Sequence, residues 1–248
     1  MPFASLGLSD PLVRAASPYD TPAAVQKAAI PVVLAGGDVL ATAKTGSGKT
    51  TAFVLPLLQR WLEAPHETPR RVHTLILVPT RELADQVREV VRQFAQHLPK
   101  RLKVVSAVGG VSINPQMMAL RGGADFIVAT PGRLLDLVNH NAVQLSTVRA
   151  LVLDEADRML DLGFADELAR ILALLPRQRQ NLLFSATFPP AVESMARILL
   201  HEPTRIEIDT SPQDAPDIHQ RAIRVDTAKR TPLLRHLIAT EGWKRVLV

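Results

Sequence analysis

The densest chemistry in this 248-residue chain lies in eight consecutive residues, Ala43-Lys44-Thr45-Gly46-Ser47-Gly48-Lys49-Thr50. They follow a short apolar run, Asp38–Ala41, and precede a stretch that reads as a helix from Lys49 to about Leu62, with Pro56 inside it as an expected kink. A small-residue loop between a strand and a helix N-terminus can turn a row of backbone N–H groups onto phosphate oxygens. Lys49 then reaches the outer phosphates and the Thr50 hydroxyl ligates Mg²⁺. The general pattern asks for Gly where Ala43 stands; Gly46, Gly48, Lys49 and Thr50 keep the rest of it. A serine-hydrolase elbow does not fit, because Ser47 is flanked directly by Gly46 and Gly48.

A second acidic centre follows about a hundred residues later, in VRALVLDEAD. An apolar run ends at Leu153, so Asp154 and Glu155 are expected at the carboxyl edge of a sheet, beside the phosphate loop. Asp154 is then placed to hold Mg²⁺ through its water shell, and Glu155 to orient or deprotonate an attacking water. Other chemistries find little support. The chain has no cysteine, and its seven histidines show no ligand spacing, which leaves no thiolate or zinc site to build.

The elements that must position these groups are legible as alternation. Apolar runs recur at Asp38–Ala41, Thr74–Val78, Val104–Val108, Phe126–Ala129, Ala150–Leu153, Leu182–Phe184 and Arg205–Ile208, most of them separated by helix-like stretches. That order predicts a parallel sheet covered on both faces, an α/β fold. One helix reads residue by residue: Leu83, Val87, Val90, Val91, Phe94 and Leu98 make an apolar stripe, with Asp85, Arg88, Glu89, Arg92 and Gln93 opposite. Residues 1–209 form one expected domain. Residues 210–216, within the Pro/Ser/Asp-rich stretch DTSPQDAPD, are the linker candidate. Residues 217–248 read as a strand-like RAIRV, a helix-like AKRTPLLRHLIATE and a final RVLV, the start of a second domain. The 47% hydrophobic content supplies a core, no apolar run approaches a membrane span, and the start lacks a signal peptide, so a cytoplasmic location is expected. A net charge of +5 suits a polyanionic partner.

With these residues in hand, the chain resembles a DEAD-box ATP-dependent RNA helicase. Asp154-Glu155-Ala156-Asp157 is the tetrad that names the family, and AKTGSGKT (43–50), PTRELA (79–84), Gly109-Gly110, TPGR (130–133) and SAT (185–187) stand in family order. DRMLDLGF, NLLFSATFPP and GWKRVLV look most like the bacterial RhlE-type branch. The resemblance implies a RecA-like P-loop domain with ATP and Mg²⁺ as cofactors. It puts Ala43, Thr45, Gly46, Ser47, Gly48, Lys49, Thr50 and Thr51 around the nucleotide, and Lys49, Asp154 and Glu155 at the catalytic centre. It assigns RNA-backbone contact to Pro79, Thr80, Arg81, Gly109, Gly110, Thr130, Gly132 and Arg133. Such groups grip phosphates without reading sequence. Ser185 and Thr187 are implied to bond Asp157 and couple ATP to RNA. In SPYDTPAAVQ, Gln26 takes the place of the family's adenine reader, Tyr19 that of the stacking aromatic and Phe3 that of the isolated upstream aromatic. Ala23 and Ala24 stand where the family has Thr and Pro, which removes one hydroxyl from adenine recognition.

Two other readings compete: a P-loop motor on DNA, and an RNA-binding module without catalysis. The tetrad and Gln26 speak against the first, and the intact Lys49, Asp154 and Glu155 against the second. The resemblance further implies that a second RecA-like domain would supply an arginine finger and half the RNA track, so a chain ending at RVLV is expected to be nearly inactive alone. Which RNA is bound, and whether ribosome-assembly or RNA-decay partners recruit the protein, is not written in the residues.

Overall fold

The computed structural model describes residues 2–19, 21–65, 68–208, 219 and 221–247. The chain divides into two compact units, Met1–Asp209 and Thr210–Val248.

The first unit is built on seven strands: β1 (Val39–Thr42), β2 (Thr74–Leu77), β3 (Val104–Ala107), β4 (Phe126–Ala129), β5 (Ala150–Leu153), β6 (Gln180–Ser185) and β7 (Thr204–Glu207). They pair in the order β3-β4-β2-β5-β6-β1-β7, and every pairing is parallel. Successive side chains of each strand point to opposite faces. Val39, Ala41, Ile76, Val152, Leu182 and Phe184 therefore enter one core, while Leu40, Leu75, Leu77, Leu151, Leu153 and Leu183 enter the other. Both faces are apolar because both are covered, as parallel sheets require.

On the first face lie α1 (Asp10–Ala15), α2 (Ala24–Leu34), α3 (Lys49–Glu63) and α4 (Arg81–Ala95). The expected stripe is the buried side of α4: Ala84, Val87, Val91 and Phe94 are sealed, with Leu83 and Val90 packed against them. Each such side chain contributes roughly 1.5–3 kcal/mol by leaving water, so a single charge at Val87 would cost the helix its seat. Helix α3 runs unbroken through Pro56, and Phe53 packs on Phe184 with ring centroids 5.2 Å apart. The second face carries α5 (Asn114–Leu120), α6 (Pro131–Asn139), α7 (Ala156–Asp161), α8 (Ala165–Leu174) and α9 (Pro190–Leu199). Among the described residues no helix is long and apolar enough to cross a membrane.

The second unit corrects the sequence reading in part. Its helix forms as α10 (Arg230–Thr240), but residues 221–226 and 245–247 are not strands. None of its described residues is buried, and Leu247 is fully exposed. Two short runs without further strands and without a covered face gain too little from pairing to offset the ordering of their backbones. The expected linker, residues 210–216, lies outside the described residues.

Candidate functional site

The carboxyl ends of β5, β6 and β1 are adjacent, and each delivers part of one cluster. After β1 the chain enters the loop 43–48. Gly46 and Gly48 take φ of 83° and 92°, which only glycine adopts without strain, and Gly48 caps α3. A Cβ on Gly48 would sit 2.5 Å from Gln26 Nε2, so the glycine also leaves room for the Gln26 carboxamide. Ala43 replaces the pattern's glycine without penalty. Its methyl group joins the core, its N–H donates to the Ser185 carbonyl (3.1 Å) and its own carbonyl accepts from Lys49 Nζ (2.8 Å). Ser47 Oγ is buried with no hydrogen-bond partner. Thr45 is exposed, Thr50 half-buried and Thr51 buried at the start of α3.

Lys49 is only 6% exposed, which makes it an interior cation and not a loop-surface one. Its charge acts on Asp154, which is 2% exposed at the end of β5. Burial pushes the Asp154 carboxyl up to about 6, against the opposing pull of Lys49; Glu155 and Asp157 add to the rise. Glu155 is held in the left-handed region, φ 54° and ψ 52°, and its N–H donates to Asp154 Oδ1 (3.0 Å). A non-glycine residue in that region costs about 1–3 kcal/mol, and here it turns the chain sharply from β5 into α7. The Glu155 carboxylate pairs with Arg158 at 3.3 Å.

The end of β6 closes the cluster. Thr187 donates through both N–H (2.9 Å) and Oγ1 (2.7 Å) to Asp157 Oδ2, and the Asp157 N–H donates to Ser185 Oγ at 3.3 Å. Burial alone would raise the Asp157 carboxyl, but the hydrogen bonds from Thr187 and Ser185 outweigh it and hold the group below its ordinary value.

The neighbouring strands β3, β4 and β2 deliver the other set at the same edge. Pro79, Thr80 and Arg81 follow β2, Gly109 and Gly110 follow β3, and Thr130, Gly132 and Arg133 follow β4. The Arg81 guanidinium lies over Gly110, where a Cβ would come within 2.7 Å of it. Thr80 Oγ1 accepts from the Leu83 N–H (3.3 Å) and so caps α4. Arg133 is drawn inward: its side chain is 10% exposed, its NH2 donates to the Val111 carbonyl (2.8 Å), and Nε lies 3.5 Å from Asp136. Its NH1 is buried without a partner.

The base-reading candidates differ in exposure and in partners. Gln26 is 5% exposed, with Oε1 accepting from the Ala23 N–H (2.9 Å) and Nε2 donating to the Gly48 carbonyl (3.2 Å). Its carboxamide thus ties the start of α2 to the phosphate loop. Tyr19 is exposed, with its ring 6.4 Å from that of Phe94. Phe3 is sealed in the core. One residue escaped the sequence reading. From α5, Gln116 accepts from the Val108 N–H and donates to the Val108 carbonyl (both 3.0 Å) and the Ser112 carbonyl (3.3 Å), clamping the glycine loop. Its only sequence signal is a polar side chain after Asn114-Pro115, which is too little to find it.

A parallel, doubly covered sheet with a glycine loop after β1, an acid after β5 and a polar strand end between them defines a RecA-like P-loop domain. The family model "DEAD/DEAH box helicase" matches residues 23–195, and the chain belongs to that family. It is 42% identical over 252 residues to "ATP-dependent RNA helicase drs1" of Botryotinia fuckeliana, covering 99% of this chain and 31% of that protein. To "ATP-dependent RNA helicase DeaD" of Escherichia coli K12 it is 40% identical over 248 residues, covering 99% and 39%. To "DEAD-box ATP-dependent RNA helicase 28" of rice (Oryza sativa subsp. japonica) it is 42% identical over 230 residues, covering 92% and 28%. The chain thus spans about a third of the length of these relatives.

Proposed function

We propose that this chain supplies the ATP-binding and RNA-gripping part of an ATP-dependent RNA helicase, one that couples ATP hydrolysis to local opening of an RNA duplex. The observation that carries the reading is the Asp157–Thr187–Ser185 knot. It joins the α7 start, directly after Glu155, to the β6 end, whose Ser185 carbonyl holds the first residue of the phosphate loop. A change at the phosphates can thereby move the ends of β6 and β5, and β5 is the direct neighbour of β2, the strand that leads to Thr80 and Arg81.

The residues fit Mg²⁺. Among the described residues no group of three or more His, Cys, Asp or Glu could cage a metal, so this chain would offer one hydroxyl, Thr50, and one carboxylate, Asp154, the latter through water. That is the ligand set Mg²⁺ takes when phosphates and water complete its shell. A desolvated carboxyl raised to about 6 is also one that a nearby cation would help to ionise. When bound, the ion would neutralise charge on the phosphates. The orphaned Ser47 Oγ and the open turn at Gly46 support a loop shaped for phosphate oxygens. Lys49 would exchange the Ala43 carbonyl for an outer phosphate, and Glu155 would orient or deprotonate the attacking water. Thr80, Arg81, Gly110, Thr130 and Gly132 would meet the RNA backbone, with Arg133 acting from beneath the loop it holds.

ATP turnover of the complete protein, measured without nucleic acid, with RNA and with DNA of the same sequence, tests the reading. Stimulation by RNA alone is expected, since 2′-hydroxyls distinguish the two. Equal stimulation by DNA would replace it with a DNA motor.

A further inference from the structure

Opposite the motifs, at the amino edge of the sheet, five loops lead into the adjacent strands β3, β4, β2, β5 and β6: residues 96–103, 121–125, 64–73, 140–149 and 175–179. By sequence these segments hold nine Lys and Arg against two Asp and Glu, a net +7 in a chain whose total is +5. By the same count the motif segments 43–50, 79–84, 109–110, 130–133, 154–157 and 185–187 sum to zero, so the five loops are the more basic set. In strand order each loop presents an exposed arginine: Arg101, Arg121, Arg70, Arg149 and Arg177. At about 4.8 Å per strand the row is about 19 Å long.

Carboxylate and carbonyl oxygens set several of these cations in place. Asp125 is buried and already accepts from Arg70 Nε (3.0 Å) and the Lys103 N–H (2.7 Å). Backbone carbonyls hold others: Arg70 NH2 donates to the Arg101 carbonyl (3.2 Å) and Lys103 Nζ to the Arg121 carbonyl (2.8 Å). The side chains of Arg101, Arg121 and Arg149 make no ion pair among the described residues. Clefts of about 400 Å³, beside Arg70, Lys100 and Arg101, and about 270 Å³, beside Arg71 and Arg149, open along the row.

We propose that this amino edge is a second docking surface for the phosphodiester backbone of RNA, distinct from the motif edge. The inference rests on the RNA reading above for the identity of the polyanion. An acidic protein fits less well. Protein interfaces carry an apolar centre, and the large exposed hydrophobic side chains of this chain all lie outside the five loops. Nucleic-acid interfaces are polar and positively charged, and guanidinium forks match phosphate oxygens in pairs. RNA held here as well as at the motifs would stay tethered while the motif edge lets go.

The test is the triple variant Arg101→Ala, Arg121→Ala, Arg149→Ala, whose side chains make no hydrogen bond or ion pair among the described residues. Binding of a 30-nucleotide single-stranded RNA is measured across a salt series, with ADP binding as the fold control. Three phosphate contacts at a salt slope of about 0.7 each predict a slope shallower by about 2 and an affinity about a hundredfold lower at 0.1 M salt, with ADP unchanged. Unchanged affinity and slope, while Arg81→Ala still weakens RNA, would remove the amino edge and leave the motif reading standing. RNA binding indifferent to both variants would sink both. Equal competition by poly-glutamate of matched charge would overturn the nucleic-acid assignment.

Discussion

Asp154→Asn should make the metal-free protein more stable, by an amount that grows with pH. The Asp154 carboxyl titrates near 6 in the folded protein and near 3.8 in the unfolded chain. Below 3.8 both states hold the proton and ionisation costs nothing. As pH rises through 6 the folded state must carry a desolvated charge, and stability falls. A rise of about 2 pH units at about 1.4 kcal/mol each gives about 3 kcal/mol at pH 7.5, and the same two pKa values give about 1.6 kcal/mol at pH 5. Asparagine has the shape of the neutral acid and no proton to lose, so it escapes this term. Urea unfolding of both proteins in a chelator, from pH 5 to pH 7.5, should show the Asn variant gaining about 1.4 kcal/mol on the native chain across that range. Parallel stability curves would refute the argument that burial dominates at Asp154, and with it the view that this site is poised for a cation.

Lys49→Ala should abolish ATP binding in a fluorescent-analogue titration. Because Lys49 is an interior cation facing Asp154, the change should also push the Asp154 carboxyl still higher, readable by carboxyl NMR; an unmoved resonance would contradict the pairing. Gln26→Ala should weaken ATP and ADP far more than GTP, and should cost about 1–2 kcal/mol of stability by freeing the Ala23 N–H and the Gly48 carbonyl, a loss that calorimetry detects. Glu155→Gln should keep ATP bound and stop turnover, since it leaves the phosphate loop untouched; surviving turnover would require another base. Gln116→Ala removes three bonds to the glycine loop, and with about 1 kcal/mol each partly charged to reordering, RNA affinity should fall roughly 10- to 100-fold at unchanged ADP affinity. Equal affinities would show that the loop holds its shape alone.

The sequence by itself determined the local pieces, because they rest on periodicity and on residue types within a few positions of one another. All seven strands of the first unit lie within two residues of the apolar runs, the stripe of α4 is the buried one, and the phosphate loop sits between β1 and α3. The same reasoning fell short at residues 221–225 and 245–247, where strand-like composition forms no strand among the described residues. What only the tertiary structure decided is who sits beside whom. Along the chain the three RNA motifs, PTRELA, the glycine pair and TPGR, fall between loop 43–48 and the acidic tetrad with SAT. The pairing order β3-β4-β2-β5-β6-β1 sorts them into two clusters on one edge and gathers five loops of cations on the other. Strand order is set by how helices pack on a twisted sheet, and no residue pattern encodes it locally. For the same reason the Gln26 carboxamide found its partner 22 residues away and Lys49 turned inward to a carbonyl and an acid from β5. Phe3, exposed to nothing in the sequence that would tell core from cleft, became core because α1 and α2 fold over it.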